Sequence, residues 1–450
     1  MKNRSRTKTK HFITWLAVML AFVVHPASAQ YLWNSDSAFK ANSPNSGRLW
    51  GYMFGDYYYK SHADALGRGG SNQYSGIPQN RNAFQIRRIY LGYDYNISKR
   101  FAAELLLASE DNFPGFNPPS SPATGGDQLL NNKLSFYIKL ANIRWKKIWK
   151  GTDFVFGQVA TPVFPLLSEK IWNYRSVEKT ISDIRRTPAY DLGVSLQGVL
   201  DPATKNYGYD IMVGNGTGAR PAATGFKWIY GDVYAYFFDK KFVVDLYADY
   251  FRTNRSTHHK QDRSRRMLKG NIAYNSAATG KGGMNPGRGY TVGAEFFVNT
   301  LKNDLFATKI AGGVDTINNS ATCISLYVHG DIIKYKLRFF ARFDSYNPMN
   351  KINNDIYKEY AGNTANYNDN SYLLTYNNNG TPVSALATGD QTYRQTFITA
   401  GLDWTPDKSV HIMPNIWYVH YASQLKSAGA PASGDHDTVY RITFFYVFGK

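Results

Sequence analysis

A single cysteine, Cys323, stands in a chain of 450 residues. That excludes a disulfide framework and a cysteine-built zinc site, and Cys323, set in an alternating strand, reads as a small apolar side chain. Long apolar runs are equally scarce. Beyond Val24 no stretch reaches the roughly 18 apolar residues that a membrane-crossing helix needs, and the mean hydropathy is −0.42. Acidic residues are in short supply too, with 33 Asp and Glu against 52 Lys and Arg and a formal net charge of +19. The signatures of a nucleophile elbow, an HExxH helix and a phosphate-cradling glycine loop are missing. His62, His258, His259, His329, His411, His420 and His436 are scattered along the chain. The expectation is a protein that is not an enzyme and that carries no metal or cofactor.

What the chain does have is aromatics, 16% of it with 34 Tyr, and a leader. Lys2, Arg4, Arg6, Lys8 and Lys10 precede an apolar run from Phe12 to Val24, and Ala27-Ser28-Ala29 follows. Basic residues, a short apolar run and a small-residue site read as a secretory signal, residues 1–29, cut before Gln30. Removing its five cationic residues lowers the formal net charge from +19 to +14. For an exported protein nucleic acid is not an expected partner. The positive surplus then points to outer-membrane lipid and lipopolysaccharide, and to anionic solutes.

From Gly47 onward the sequence alternates. Phe101, Ala103, Leu105 and Leu107 interleave with Ala102, Glu104, Leu106 and Ala108, and Phe242–Phe251 behaves likewise. A period of two with one apolar face means strands with one greasy side. About 16 such segments can be drawn, among them Phe154–Val159, Tyr290–Val298, Leu305–Val314, Thr322–Ile332 and Tyr335–Ser345. Tight links such as Asn96–Arg100, Asp239–Lys241 and Lys302–Asp304 alternate with long ones such as Lys60–Arg81, Glu110–Asn131, Thr253–Gly289 and Asn347–Arg394. This predicts an all-β fold, a transmembrane antiparallel β-barrel with short periplasmic turns and long extracellular loops. Residues 30–47 become a periplasmic N-terminal segment and 48–450 the barrel in the bacterial outer membrane. The aromatic final strand, Val439–Phe448, is placed to pair with the first, since hydrocarbon tolerates no open edge. Trp50, Tyr57, Tyr58, Trp145, Trp149, Tyr190, Trp228, Trp404 and Trp417 near the strand ends suit two aromatic girdles.

The segment Phe154–Gln197 differs from the rest. It starts as a strand, breaks at Pro162 and Pro165, runs through mixed charge and resumes alternation at Tyr190. The expectation is that 162–188 folds into the bore as a constriction loop, bringing Glu169, Lys170, Arg175, Glu178, Lys179, Asp183, Arg185 and Arg186. Opposite the apolar strand faces, Arg88, Lys139, Lys336, Arg338, Arg342 and Arg441 should point inward with Asp94, Glu104, Asp245, Asp249, Glu295, Asp344 and Asp403. An Arg or Lys facing lipid at mid-depth costs about 2–4 kcal/mol. Arg255, Lys260, Arg263, Arg265, Arg266 and Lys269, in the 253–289 connection, would form a basic rim that attracts anions. The function these features suggest is passive diffusion of small hydrophilic solutes with a modest anion preference. A surface-exposed structural or adhesion barrel without open-channel activity is the alternative.

Several stretches carry a resemblance. Phe84–Tyr95 (FQIRRIYLGYDY), Phe154–Lys170 (FVFGQVATPVFPLLSEK), Tyr174–Thr180, Asp191–Gly198, Val213–Gly218, Phe339–Asp344 and Gly401–Val410 resemble the phosphate-selective porin O and P family. The matches run in order through nearly the whole barrel. The resemblance implies a homotrimeric outer-membrane channel of 16 strands that passes phosphate by means of Arg and Lys in its bore. The dense run of inward Lys expected of such a channel is not present.

Overall fold

The computed structural model describes residues 44–65, 74, 77–110, 135–184, 188–218, 225–253, 263–277, 284–361, 393–422, 424 and 434–449. Among them are seventeen strands: β1 (Ser46–His62), β2 (Asn82–Asn96), β3 (Phe101–Glu110), β4 (Tyr137–Trp149), β5 (Thr152–Ala160), β6 (Tyr190–Val199), β7 (Tyr207–Gly214), β8 (Trp228–Phe237), β9 (Phe242–Thr253), β10 (Arg263–Asn275), β11 (Tyr290–Lys309), β12 (Val314–Ile333), β13 (Leu337–Asn347), β14 (Tyr357–Ala361), β15 (Arg394–Asp407), β16 (Val410–Ala422) and β17 (Asp435–Phe448). Sixteen of them form a closed antiparallel ring in sequence order, with β13 pairing to β15. The ring closes where β1 pairs with β17, from Gly51 opposite Phe448 to Lys60 opposite Val439. The remaining strand, β14, is a short addition to β11.

Alternation decides what faces where. On β17, Val439, Arg441, Thr443, Phe445 and Val447 are buried within the ring, while Tyr440, Ile442, Tyr446 and Phe448 are exposed. The outer surface carries Phe156, Ile211, Val233, Leu246, Leu268 and Val292, all at least half exposed. An apolar outer belt on a ring without edges satisfies every backbone group internally while facing hydrocarbon. Among the described residues no helix is long and apolar enough to cross a membrane. The chain is a transmembrane β-barrel of the bacterial outer membrane.

Two features differ from the sequence reading, and they cancel in the strand count. The connection drawn at Thr253–Gly289 contains β10, whose outward Leu268, Ile272 and Tyr274 alternate with inward Lys269, Asn271 and Ala273. Its run of basic residues conceals the period of two. Conversely, Lys302–Asp304 is not a turn, and Leu305–Val314 is not a strand of its own. β11 and β12 run on as a two-stranded ribbon, with a register shift between Leu301 and Leu305, to a turn where Gly312 and Gly313 have positive φ. There β14 widens the ribbon and Ala307 packs with Met349, Ile317, Ile352 and Tyr357; outside the closed ring polar residues can sit within a strand, so they cease to mark a turn. Lys336, expected inside, lies in the turn between β12 and β13. Trp50, Tyr58, Trp228 and Trp417 are buried on the inner face and cannot belong to a girdle, whereas Trp145 and Trp149 are exposed.

Candidate functional site

The segment between β5 and β6 leaves the wall for a local reason. Gly157 has φ 126°, and a Cβ there would lie 2.3 Å from the Ala141 carbonyl oxygen. Only glycine adopts that conformation readily. Next to it, the Gln158 side chain donates to the carbonyls of Ile138 and Lys139 at 2.9 and 2.8 Å, taking the place of further strand pairing. The β4–β5 ladder ends there, with Ala141 opposite Gln158. Pro162 and Pro165 lack the donors a strand needs. Thr161 ties the neck shut, its backbone N–H on Ala189 and its hydroxyl on the Pro188 carbonyl.

Two short helices stiffen the segment, α1 (Ser168–Trp172) and α2 (Ile181–Ile184). Asn173, in the left-handed conformation with φ 60°, ends α1 by donating its N–H to Glu169, the usual way such a residue stops a helix. Leu167, Ile171, Trp172 and Val177 pack on the inward Trp50, Tyr52, Phe54, Leu106, Leu140 and Phe340. Trp172 is 1% exposed. It meets Tyr174, Tyr327, His329 and Phe340 at ring-centroid distances of 5.6, 5.7, 6.3 and 6.4 Å. The seat is largely apolar.

Wall side chains then grip the segment's main chain. Arg87 donates to the Ser176 carbonyl at 2.9 Å and Arg342 to the Lys179 carbonyl at 2.5 Å. Trp417 donates to the Glu178 carboxylate at 2.7 Å, and Glu295 accepts from the Ser182 N–H at 3.1 Å. His329 Nε2 lies 3.0 Å from the Ile171 carbonyl. That contact needs a proton on Nε2, which leaves Nδ1 to accept from Arg338 at 3.3 Å. At the short-turn end Tyr174 donates to Asp403 and accepts from Arg338. Arg338 also donates to the carbonyls of Pro286 and Gly287, so the β10–β11 connection and the segment share one guanidinium. Partners from β2, β11, β12, β13, β15 and β16 place residues 171–182 inside the ring.

Few charges are left uncommitted. Arg88 and Lys139 both pair with Glu110, Arg342 binds Asp344, and Arg338 pairs with Asp331. Arg441 lies 4.0 Å from Asp56, which also holds Arg87 at 3.1 Å. Within the segment Arg175 pairs with Glu169 and, at 2.8 Å, with Asp183. Burial pushes the Glu169 carboxyl up, against the pull of Arg175. Lys170 and Lys179 are half-buried. Burial and the nearby Arg88 guanidinium push the Lys179 ammonium down to about 8.

The expected rim is not a loop feature. Arg263, Arg265, Arg266 and Lys269 belong to β10: Arg265 and Lys269 are buried inside the ring and Arg266 is exposed on the other face. Lys269 is bound to Asp245 at 2.9 Å. Arg185, Arg186, Arg255 and Lys260 lie outside the described residues.

Sequence reasoning did not select Arg87, Asp56, Glu110, Tyr174 or Trp172 as site residues, and it placed Trp417 in a girdle. The doublet Arg87-Arg88 was the available signal. Strict alternation would turn one of the two toward lipid, yet both are buried inside, because a register shift in the β1–β2 ladder leaves Arg87 as the extra residue. That is the work of a bulge. Nor are all the histidines scattered. His62 and His436 stack with centroids 3.9 Å apart and planes 8° from parallel, beside Asp435. Parallel rings aim their lone pairs along separate planes rather than at a common point.

No protein-family model and no curated protein matches the chain. Solved structures do. The anion-selective porin from Comamonas acidovorans superposes with a TM-score of 0.51 at 11% identity, over 90% of this chain and 100% of the porin. The outer-membrane channel DcaP of Acinetobacter baumannii gives a TM-score of 0.51 at 11% identity, over 90% and 99%. OmpF of Salmonella typhi, solved with daunomycin, gives 0.50 at 10% identity, over 90% and 98%. At such identities the likeness concerns architecture alone. The chain shares the barrel fold of bacterial outer-membrane porins and channels.

Proposed function

We propose that the protein is a porin, a passive channel for small hydrophilic solutes, with the constriction loop expected at 162–188 narrowing the bore. The observation that carries this reading is the seating of the segment inside a closed barrel, held by side chains of six strands. Tyr137 and Tyr190 pack, half-buried, against the cluster that seats it, and Lys170, Asn173 and Lys179 of the segment are half-buried. A passage of this kind needs no tight site, because a solute must also leave.

A modest anion preference belongs to the same proposal. Its support has moved from the expected rim to the wall: Arg88 and Lys139 share one carboxylate, Glu110, and Lys179 lies near them. Kinship with the phosphate-selective porin O and P family, and the homotrimer it implies, rest on the motif resemblance. Conductance of the refolded protein in a planar bilayer tests the channel, and absence of any open-channel current refutes it. The reversal potential in a salt gradient tests the preference. An Arg88→Gln, Lys139→Gln variant with an unchanged reversal potential refutes the assignment to this wall.

A further inference from the structure

The two faces of β10 divide its basic residues. Arg265 and Lys269 are buried inside the ring, whereas Arg266 is exposed on the outer surface. Ser264, the next outward residue, pairs with Arg252 of β9 on one side and with Lys302 of β11 on the other. Neighbouring strands lie about 4.8 Å apart and alternate residues on one face about 7 Å, so Arg252, Arg266 and Lys302 surround Ser264. Lys302 is exposed, and Arg252 is half-buried with its guanidinium 5.0 Å from the centroid of the Phe226 ring. Lys227 is exposed one step beyond the end of the β8–β9 ladder and donates to Asn215 at 2.9 Å.

Hydrocarbon begins directly below this patch. Tyr250 stands opposite Arg266, Ile229 is opposite Tyr250, and one outward position further down Leu268 is opposite Val298. All four are exposed. The patch lies at the end of the barrel where residues 254–262 connect β9 to β10, away from the short turns 238–241 and 334–336. In an outer-membrane barrel that end is extracellular. A cation costs little at this depth, but a group of like charges repels itself unless acids balance it. Asp232, Asp245, Asp249 and Glu295, the acids of β8–β11 below Lys302, are all buried inside the ring. Cations on the outside of the wall do nothing for a solute in the bore. A basic patch bordering hydrocarbon does attract anionic lipid headgroups.

We propose that Arg266 and Lys302, with Arg252 and Lys227 beside them, hold the phosphate groups of an outer-leaflet glycolipid, lipopolysaccharide, whose acyl chains lie on the apolar belt below. The site does not depend on whether the bore conducts.

Lipid A carrying two phosphates is the probe, titrated calorimetrically into folded protein in detergent. Saturable binding is expected, weaker at high salt because exposed charges are screened. Each Lys or Arg beside anionic lipid adds roughly fivefold in affinity, so Arg266→Gln combined with Lys302→Gln should weaken binding at least tenfold. Arg394→Gln should leave it unchanged, since Arg394 is exposed at the same end on β15 and donates to Gln424 at 3.0 Å. The double variant should keep the wild-type reversal potential, and a changed one would put these side chains at the pore and overturn the assignment. The single variants serve should the double variant fail to fold. The proposal is also overturned if the wild type does not bind lipid A or if the double variant binds it equally well. Equal binding of lipid A stripped of its phosphates would reduce the site to adsorption on the apolar belt. Displacement of lipid A by millimolar inorganic phosphate would make it a site for free phosphate, and either result refutes it. Current without lipid binding refutes the site and leaves the porin, while lipid binding without current does the reverse.

Discussion

Replacing Trp172 with alanine should unseat the segment without opening the barrel. The indole is 1% exposed, sits among four rings and donates from Nε1 to the Glu178 carbonyl at 2.9 Å. Removing a buried Trp of this kind costs about 3–5 kcal/mol. Part of that falls on the contact between segment and wall, through Tyr327, His329 and Phe340, and part within the segment, through Tyr174 and the Glu178 carbonyl. The seated-to-unseated ratio should therefore shift by at most roughly two to three and a half powers of ten. The Arg87, Arg342 and Trp417 contacts remain, so partial rather than complete release is expected. Single-channel recording should show larger or flickering conductance, and limited proteolysis of the folded protein should cut within 161–189. The heat-induced mobility shift of the barrel should stay as in the wild type. Trp172→Phe, which keeps most of the packing and loses one hydrogen bond of about 1 kcal/mol, should sit near the wild type. If Trp172→Ala alters neither conductance nor cleavage, the apolar seat does not hold the segment.

Lys179 supplies a pH test: with its ammonium pushed down to about 8, the bore carries that charge at pH 7 and loses it by pH 9. Anion preference, read from the reversal potential, should fall across that interval in the wild type and stay flat in Lys179→Met; parallel curves refute the assignment. Asp56 is buried and accepts from Tyr74 at 2.7 Å and Arg87 at 3.1 Å, so Asp56→Ala strands a buried guanidinium. It should cost about 3–5 kcal/mol in urea unfolding of the folded protein, and a shift below about 1 kcal/mol argues against that network. Gly157→Ala forces an L residue into φ 126° with its Cβ 2.3 Å from a carbonyl oxygen. About 1–3 kcal/mol of strain should appear as faster proteolysis near the neck at Thr161, and unchanged cleavage refutes the role given to this glycine.

The sequence by itself determined the barrel. A period of two is a direct record of which side of each strand meets hydrocarbon, so Phe242–Phe251 and Val439–Phe448 could be read as wall without knowing their neighbours. The interruption by Pro162 and Pro165 likewise marked 162–188, because closely spaced prolines remove N–H donors that a ladder needs. Only the tertiary structure decided what the charges do. Whether Lys269 is rim or wall depends on β10 having a place between β9 and β11, and basic residues hide its alternation. Arg87 and Arg88 share a face only through a bulge, and a bulge is a property of two strands in register. Arg338 and Arg342 serve the backbone of other segments because of which strands lie side by side. Period is local and survives in one chain; pairing is a relation between distant residues, settled only once the ring closes.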